Sequence, residues 1–163
     1  MKILFFLVYI VLITGCINNN KVMTGLEGKP MPSFDLLLED SITHINTKDI
    51  PTGKPIVLFA FQPYCPYCRA QMKEILENIS ILHQIRIYAF TSARFTDMKL
   101  FCSIYHLTDQ TKITIGIDSL NSFSEYYNCT GVPYLAIYDS NKRLKQAVLG
   151  KTNVKFIKDI ALQ

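Results

Sequence analysis

Several features are scarce in this chain of 163 residues, and their scarcity excludes whole classes of function. The chain contains no tryptophan, and its three histidines stand far apart. Only one C-x-x-C motif is present, Cys65 to Cys68, because Cys102 and Cys129 do not form a second one. A structural zinc site requires four ligands at characteristic spacings. We therefore predict no metal site and no other cofactor.

Runs of basic residues are also missing. Lys and Arg number 17 against 13 Asp and Glu, but these positive charges are spread along the chain without interleaved aromatic residues. Domains that bind nucleic acid usually concentrate positive charge on one face or along one helix. We predict no nucleic-acid partner. The remaining composition, 49% hydrophobic and 18% charged, is ordinary for one globular domain.

No apolar run is long enough for an ordinary membrane span. The longest, residues 3–13 of MKILFFLVYIVLITGC, contains 11 residues, too few to cross a hydrocarbon layer about 30 Å thick as a helix. We predict a secretory signal peptide over residues 1–15. The sequence Ile13-Thr14-Gly15-Cys16 resembles the bacterial lipobox, which implies lipid attachment at Cys16. An ordinary signal peptide or a short uncleaved anchor remains the alternative. Each of these places the domain outside the cytoplasm, where disulfide chemistry is allowed.

The rest of the chain divides into a short polar segment and one domain. Residues 16–32 include INNNKVMTGLEGKPMP, which is rich in Asn, Gly and Pro, and we interpret them as a lipidated flexible tether. From residue 33 to 163 the apolar pattern is regular and predicts a single domain. No internal repeat or second linker interrupts it.

Apolar periodicity in this domain alternates between the strand and helix periods. PIVLFAF, residues 55–61, is typical of a strand buried on both faces. The predicted order is a hairpin at 34–38 and 42–45, a strand at 55–61, a helix through 82, a strand at 85–90, a helix at 95–105, a strand at 113–117, a short helix at 123–127, a hairpin at 134–138 and 144–149, and a final helix capped by Asn153. This order predicts an α/β fold, a mixed sheet covered by helices.

The C-x-x-C motif lies where the buried strand meets the following helix. The start of a helix stabilises an anion through its unpaired N–H groups and its dipole, so Cys65 is expected to be the attacking thiolate. Pro66 suits the first helical position because it needs no hydrogen-bond partner. Cys68, one turn later, is placed to resolve a mixed disulfide by intramolecular attack. A structural disulfide or half of a metal site are the alternatives.

The line GKPIVLFAFQPYCPYCRAQM, followed downstream by Thr130-Gly131-Val132-Pro133-Tyr134, resembles the TlpA/ResA-type thiol-disulfide oxidoreductases of the thioredoxin superfamily. The resemblance covers residues 28–163. It implies a thioredoxin-like fold with an N-terminal β-hairpin extension and an αβ insertion before a cis-proline. By this resemblance Pro133 is the cis-proline beside the catalytic cysteines.

The resemblance also implies how a substrate docks. The backbone of Val132 would pair with the substrate chain, as in recognition by β-strand addition. We predict that Tyr64, Pro66 and Tyr67, the neighbours of the two cysteines, also contact substrate.

Three positions depart from the family pattern. Tyr64 replaces the tryptophan that members commonly carry before the first cysteine. Gln71 occupies the place of a functional glutamate, and Phe59 that of the buried aspartate of thioredoxins. A carboxylate there would exchange the proton of the Cys68 thiol. The usual proton relay is therefore absent, and water, another acid such as Asp118 or a slower exchange would take its place.

The remaining cysteines have two interpretations. Cys102 falls on the apolar stripe of its helix, as a buried hydrophobic residue would. A Cys102–Cys129 disulfide is the alternative, but a sequence does not fix the required Cα separation.

We interpret the chain as a lipid-anchored protein of the cell envelope that faces the periplasm and reduces disulfides of exported proteins. The resemblance implies a membrane dithiol donor of the DsbD/CcdA kind. A disulfide oxidase or isomerase would use the same residues, and a non-catalytic binding lipoprotein would keep only the scaffold. A peroxidase is disfavoured, since the P-x-x-x-T-x-x-C pattern of peroxiredoxins is absent around Pro63 and Cys65.

Overall fold

Eight strands of alternating or continuous apolar sequence form one sheet in the computed structural model, which describes residues 20–110 and 112–163. The strands are β1 Lys21–Val22, β2 Asp35–Leu38, β3 His44–Asn46, β4 Ile56–Ala60, β5 Arg86–Thr91, β6 Ile113–Ile117, β7 Tyr134–Tyr138 and β8 Leu144–Leu149. The helices are α1 Pro66–Glu77, α2 Phe95–Tyr105, α3 Ser122–Tyr127 and α4 Val154–Leu162. The predicted signal peptide and Cys16 lie outside the described residues.

The sheet is mixed, with the spatial order β1-β8-β7-β4-β5-β6-β2-β3. Strands β4, β5 and β6 are parallel, while β7 runs antiparallel to β4 and forms a hairpin with β8. Every residue of β4 is buried, as its continuous apolar sequence predicts. The first cysteine follows the carboxyl end of this central strand.

Strand alternation divides the core into two layers. Val57 and Phe59 of β4 face a cluster that contains residues of α1, α2 and α4. Ile56 and Leu58 face the opposite cluster, which contains residues of α3 and the segment around Phe34. Each large apolar side chain buried in this way contributes about 1.5–3 kcal/mol. Both faces of the central strands are therefore stabilised by packing.

The segment before β2 differs from the sequence prediction, which assigned residues 16–32 to a tether. Its described part, residues 20–32, docks on the domain: Lys21 and Val22 pair with β8, and Gly28 N donates to Leu144 O at 2.8 Å. Two strand residues carry too little alternation to be recognised from sequence. They pair because β8 would otherwise leave an edge of unpaired backbone groups.

Helix α1 also ends earlier than its apolar pattern predicts. The predicted stripe continues to Leu82, but the helix ends at Glu77 and Asn78 is its C-cap. The Asn78 side chain donates to Glu74 O at 2.9 Å, which satisfies a carbonyl of the last turn. Ile79 and Leu82 still pack on the core from the following turns.

The predicted α/β class is confirmed, including the N-terminal hairpin of β2 and β3 and the mixed sheet flanked by helices. Gly116 is required where β2 joins β6, because a Cβ there would lie 2.9 Å from Leu37 O. Asn153 caps α4 as predicted, accepting from Phe156 N at 2.7 Å. Across residues 20–110 and 112–163, no helix combines the length and apolar character that a membrane span requires.

Candidate active site

The two cysteines of the C-x-x-C motif lie at the start of α1. Cys65 is the N-cap, and its Sγ accepts a hydrogen bond from Cys68 N at 3.4 Å. A sulfur thus occupies the place that a serine or aspartate oxygen commonly takes at a helix start. Pro66 is the first helical residue, as the sequence predicts. The structure describes both as free thiols.

Exposure differs between these two thiols. Cys65 is half-buried, whereas Cys68 has no exposed surface. Burial raises the pKa of the Cys68 thiol far above its usual range, and the nearby Cys65 raises it further. A hydrogen bond from Gln62 N, 3.5 Å from Cys68 Sγ, acts in the opposite direction. Cys65 is therefore the accessible thiol of the pair, and Cys68 is the one protected from solvent.

The bond between Val132 and Pro133 is cis, as the resemblance implies. The backbone of Val132 lies beside the helix start, where the Cys65 thiol is 3.6 Å from Val132 O. Pro133 is buried, and its carbonyl accepts from Gly150 N at 2.8 Å. The structure thus brings Cys65, Cys68 and Val132 together although they are far apart in sequence.

Aromatic side chains surround the motif. Tyr64 is 59% and Tyr67 68% exposed, and Pro66 is exposed between them. The Tyr64 hydroxyl donates to Asp97 Oδ1 at 2.9 Å, and Arg94 Nε donates to Asp97 Oδ2 at 2.8 Å. These two hydrogen bonds lower the pKa of the Asp97 carboxyl, the one from Arg94 most. The first turn of α2 is thereby fixed to the residue before Cys65.

Arg69 stabilises the same loop from α1. Its Nε donates to Pro63 O at 2.8 Å, and its guanidinium lies 5.9 Å from the centre of the Tyr64 ring. Sequence reasoning did not find Arg94 or Asp97, because a single Arg-x-x-Asp carries no sign of the tyrosine it meets.

The redoxin family matches residues 26–159, almost the whole described domain. The chain belongs to the redoxin family. No curated protein sequence matches this redoxin significantly. Membership supports thiol-based redox enzyme activity in the broad sense, which includes both thiol-disulfide oxidoreductases and peroxiredoxins.

Solved structures resemble this redoxin in fold. The thioredoxin domain of a Bacteroides vulgatus thiol-disulfide oxidoreductase matches with a TM-score of 0.65 at 15% identity, covering 82% of this chain and 93% of that one. A secreted Mycobacterium tuberculosis disulfide oxidoreductase matches at 0.64 and 19%, covering 80% and 96%. A Plasmodium vivax 2-Cys peroxiredoxin matches at 0.67 and 14%, covering 83% and 94%. These similarities confirm the predicted thioredoxin-like fold.

Position 71, where members of the ResA type carry a functional glutamate, is buried in this redoxin. Gln71 has no exposed surface, and its Oε1 accepts from Thr152 N at 2.7 Å. Its Nε2 is also buried and has no hydrogen-bond partner in the described chain. Phe59, at the thioredoxin aspartate position, belongs to the apolar core. Neither position offers Cys68 a proton-carrying group.

Asp118 is the substitute acid considered from sequence. It is buried, and its carboxylate oxygens accept from Ser122 N at 3.0 Å and from Phe123 N at 2.9 Å, so they cap α3. A cavity of about 20 Å³ separates Asp118 from Gln62 and Val132. Asp118 therefore stands near the cysteines but outside hydrogen-bond contact with them.

The other two described cysteines lie on opposite faces of the sheet. Cys102 packs in the layer of α1, α2 and α4, while Cys129 packs against the layer of α3. Burial raises the pKa of Cys102 to about 12 and that of Cys129 to about 11. Both are free thiols, and the sheet lies between them. An intrachain disulfide between them, one of the two interpretations from sequence, does not fit this arrangement.

No cluster of three or more His, Cys, Asp or Glu side chains in residues 20–110 and 112–163 is placed to hold a metal ion. The groups that the structure places at the start of α1 are the sulfur atoms of Cys65 and Cys68. A reactive thiol at a helix start, a second thiol one turn away and a shaped backbone edge are the parts that thiol-disulfide exchange requires.

Proposed function

We propose that this redoxin is a thiol-disulfide oxidoreductase that reduces disulfides in exported proteins through Cys65 and Cys68. The observation that carries the proposal is the asymmetry of the pair: the half-buried Cys65 caps α1, and the fully buried Cys68 donates its backbone N–H to Cys65 Sγ at 3.4 Å. An accessible attacking thiol and a protected resolving thiol are the arrangement that exchange through a mixed disulfide needs.

The reaction begins at Cys65. Its thiolate attacks one sulfur of the substrate disulfide, an S–S bond forms between enzyme and substrate, and the second substrate sulfur leaves as a thiolate that takes up a proton. Cys68 then attacks Cys65 Sγ and loses its proton as the new S–S bond forms, and the first substrate sulfur leaves as a thiolate that takes up a proton. Two electrons have passed to the substrate, which ends as a dithiol, and Cys65–Cys68 ends as a disulfide.

The second step requires Cys68 to lose its proton. Because burial raises the pKa of this thiol, the proton has to leave during attack rather than before it. Gln62 N stabilises the developing thiolate from 3.5 Å, but neither Gln71 nor Phe59 accepts the proton. We expect this step to limit turnover.

The substrate chain would dock beside the cis-proline. Val132 is half-buried next to Cys65, and the exposed rings of Tyr64 and Tyr67 flank the other side. An extended peptide can pair with the Val132 backbone while its cysteine reaches Cys65 Sγ, which is recognition by strand addition. Tyrosine rings suit such a surface, since they offer apolar contact at low entropic cost.

The location belongs to the same proposal. Cleavage before Cys16 and lipid attachment there would hold the domain at the cell envelope, facing the periplasm, where substrate disulfides form. A secreted disulfide oxidoreductase among the structures of the same fold supports this setting. A membrane dithiol donor of the DsbD/CcdA kind would return the Cys65–Cys68 disulfide to the dithiol.

Two measurements test the proposal. Dithiol-dependent insulin reduction should fall to the uncatalysed rate in Cys65→Ser, while a Cys129→Ser control keeps its activity; unchanged activity in Cys65→Ser would refute the catalytic role. The reduction potential of the pair, measured in defined thiol buffers, tests the direction. A value well below about −220 mV supports a reductase, whereas one near −120 mV would make the protein an oxidant.

A further inference from the structure

A cleft lined by positive charge lies at the end of the sheet opposite the redox site. Its volume is about 270 Å³, and the basic side chains around it are Lys54, His83, Arg86 and Lys112. They come from the amino ends of β4, β5 and β6 or the loops before them, whereas Cys65 follows the carboxyl end of β4. Among the described residues, no Asp or Glu lines this basic cleft.

The charges of the basic cleft are not neutralised by carboxylates. Five ion pairs occur in the described chain: Lys73–Glu77, Arg94–Asp97, Lys99–Glu39, Lys151–Glu74 and Lys155–Asp159. None of them involves a residue of the basic cleft, so within residues 20–110 and 112–163 its cations gather without a counter-charge. Asp49 lines the neighbouring cleft that shares Tyr88, and does not line this one.

Part of the lining is held in place by the backbone. Arg86 donates to the carbonyl oxygens of Pro51 and Thr52, the latter at 3.4 Å. His83 Nδ1 lies 2.9 Å from Ser80 O. These contacts hold one guanidinium and one imidazole in place beside the cleft. Binding of a ligand therefore costs less side-chain conformational entropy than it would with mobile side chains.

Ile85 and Ile87 also line the cleft, and the hydroxyl-bearing residues Tyr88 and Thr114 complete the lining. Together with two ammonium groups, a guanidinium and an imidazole, they form a set dominated by hydrogen-bond donors. Such donors suit the oxygens of a phosphate group, which accepts several charge-assisted hydrogen bonds at once. A half-open cleft of about 270 Å³ fits one phosphate group with a few further atoms.

We propose that the basic cleft binds a phosphate group, carried either by a small soluble molecule or by the headgroup of an anionic phospholipid. The site is separate from Cys65 and Cys68 and does not depend on the redox function. A headgroup bound there, at the edge opposite Cys65, would turn the redox edge away from the lipid surface.

The test is calorimetric titration of the full chain, in a nonionic detergent at constant ionic strength, with inorganic phosphate. We expect saturable binding that weakens at least tenfold in Lys54→Gln/Lys112→Gln, whose side chains are both exposed. The control Lys29→Gln/Lys145→Gln removes the same charge from exposed positions outside the cleft and should change affinity less than twofold. Absence of saturable binding, or equal weakening in the control, would refute the site.

A second titration identifies the source of the phosphate group. Micelles that contain phosphatidylglycerol are compared with micelles of phosphatidylcholine in the same detergent. Tighter binding of phosphatidylglycerol than of inorganic phosphate, lost in the cleft variant but not in the control, supports a lipid headgroup. Binding of inorganic phosphate alone, with the same dependence on Lys54 and Lys112, supports a soluble ligand.

Discussion

This redoxin contains two pairs of cysteines in its described chain, and the pairs differ in where the fold places their sulfur atoms. Cys65 and Cys68 meet at the start of α1, with Sγ and backbone N 3.4 Å apart. Cys102 and Cys129 lie in different core layers on the two faces of the sheet. Both pairs consist of free thiols in the same protein. Reactivity therefore follows from the position in the fold and not from the number of cysteines.

Burial also affects the individual cysteines of the two pairs differently. Burial raises the pKa of Cys68, Cys102 and Cys129, so three of the four described thiols resist ionisation. Only Cys68 has a partner sulfur close enough to make a buried thiol useful. A buried cysteine at a helix start can therefore take part in chemistry, whereas one in the middle of a helix contributes to packing alone.

Replacement of Cys68 gives the largest contrast between the pairs. In Cys68→Ser the mixed disulfide formed at Cys65 has no intramolecular thiol to resolve it, so turnover should fall about 100-fold or more. The covalent adduct with a disulfide peptide should accumulate and be visible by mass spectrometry. Cys102→Ser should show no adduct at Cys65 beyond that of the parent. Equal release of peptide by Cys68→Ser and the parent would mean that Cys68 does not resolve.

Unfolding at alkaline pH tests Cys102, the fully buried cysteine of the second pair. The pKa of Cys102 is about 12 in the folded protein against an ordinary value of 9.0, so above pH 9 the unfolded chain releases a proton that the folded protein keeps. Stability should then fall with rising pH, by up to about 1.4 kcal/mol per pH unit for this thiol. The effect is absent below pH 8 and extends towards pH 12.

Urea unfolding of the reduced protein between pH 8 and 10.5 measures this slope. Cys102→Ala should unfold more easily at pH 8, because it leaves a cavity, but should lose less stability as the pH rises. Ile157→Val is the control, since it trims a buried side chain and leaves every thiol in place. The buried tyrosines contribute equally in all three proteins. Parallel curves for Cys102→Ala and the parent would contradict the raised pKa.

A substitution at Gln71 is expected to increase the turnover of the Cys65–Cys68 pair rather than to abolish it. In Gln71→Glu one carboxyl oxygen can still accept from Thr152 N, while the other replaces the unpartnered Nε2 one turn after Cys68. A carboxylate there could take the proton of Cys68 during attack, and we expect turnover to rise about tenfold, below the full range of acid–base catalysis. Burial should raise the pKa of the new carboxyl, so the gain should appear as the pH increases through 5–8.

The pH profile of insulin reduction distinguishes this role from a change in packing. Gln71→Met has similar size but no group that carries a proton, and its rate should not rise. An unchanged rate and profile in Gln71→Glu would show that proton transfer from Cys68 does not limit turnover.

Much of the fold could be predicted from the sequence, because strong local patterns agree with it. The apolar run of β4 and the hairpin of β7 and β8 carry unambiguous strand signals, and Asn153 is a cap that the structure uses. The candidate site could be predicted because its signal is local as well: C-x-x-C joins a strand and a helix within a few residues. The cis geometry before Pro133 was predicted from the family resemblance and not from spacing.

What the sequence did not reveal depends on contacts between distant segments. The pairing of Lys21 and Val22 with β8 involves two residues of unremarkable composition. The contact of Tyr64 with Asp97 joins two elements that are separate along the chain. The basic cleft gathers Lys54, Arg86 and Lys112 from three places. Only the folded topology, which places β4, β5 and β6 side by side, brings such residues together.

The smallest effect is expected at Cys129, which is also the residue best placed to break the comparison. It is half-buried and lies shortly before Pro133, and its side chain packs against the layer that contains Tyr127 and Tyr134. Tyr134 has a buried hydroxyl without a partner in the described chain. A serine hydroxyl at position 129 can offset its own burial by forming a hydrogen bond with the Tyr134 hydroxyl, so Cys129→Ser should change the free energy of unfolding by less than about 0.5 kcal/mol.

Insulin reduction by Cys129→Ser should stay within twofold of the parent, because Cys129 is not in contact with Cys65 or Cys68. A large loss of activity, or a Cys65–Cys129 disulfide found by peptide mapping of the oxidised parent, would mean that a third thiol joins the exchange and that position alone does not divide the cysteines into two classes.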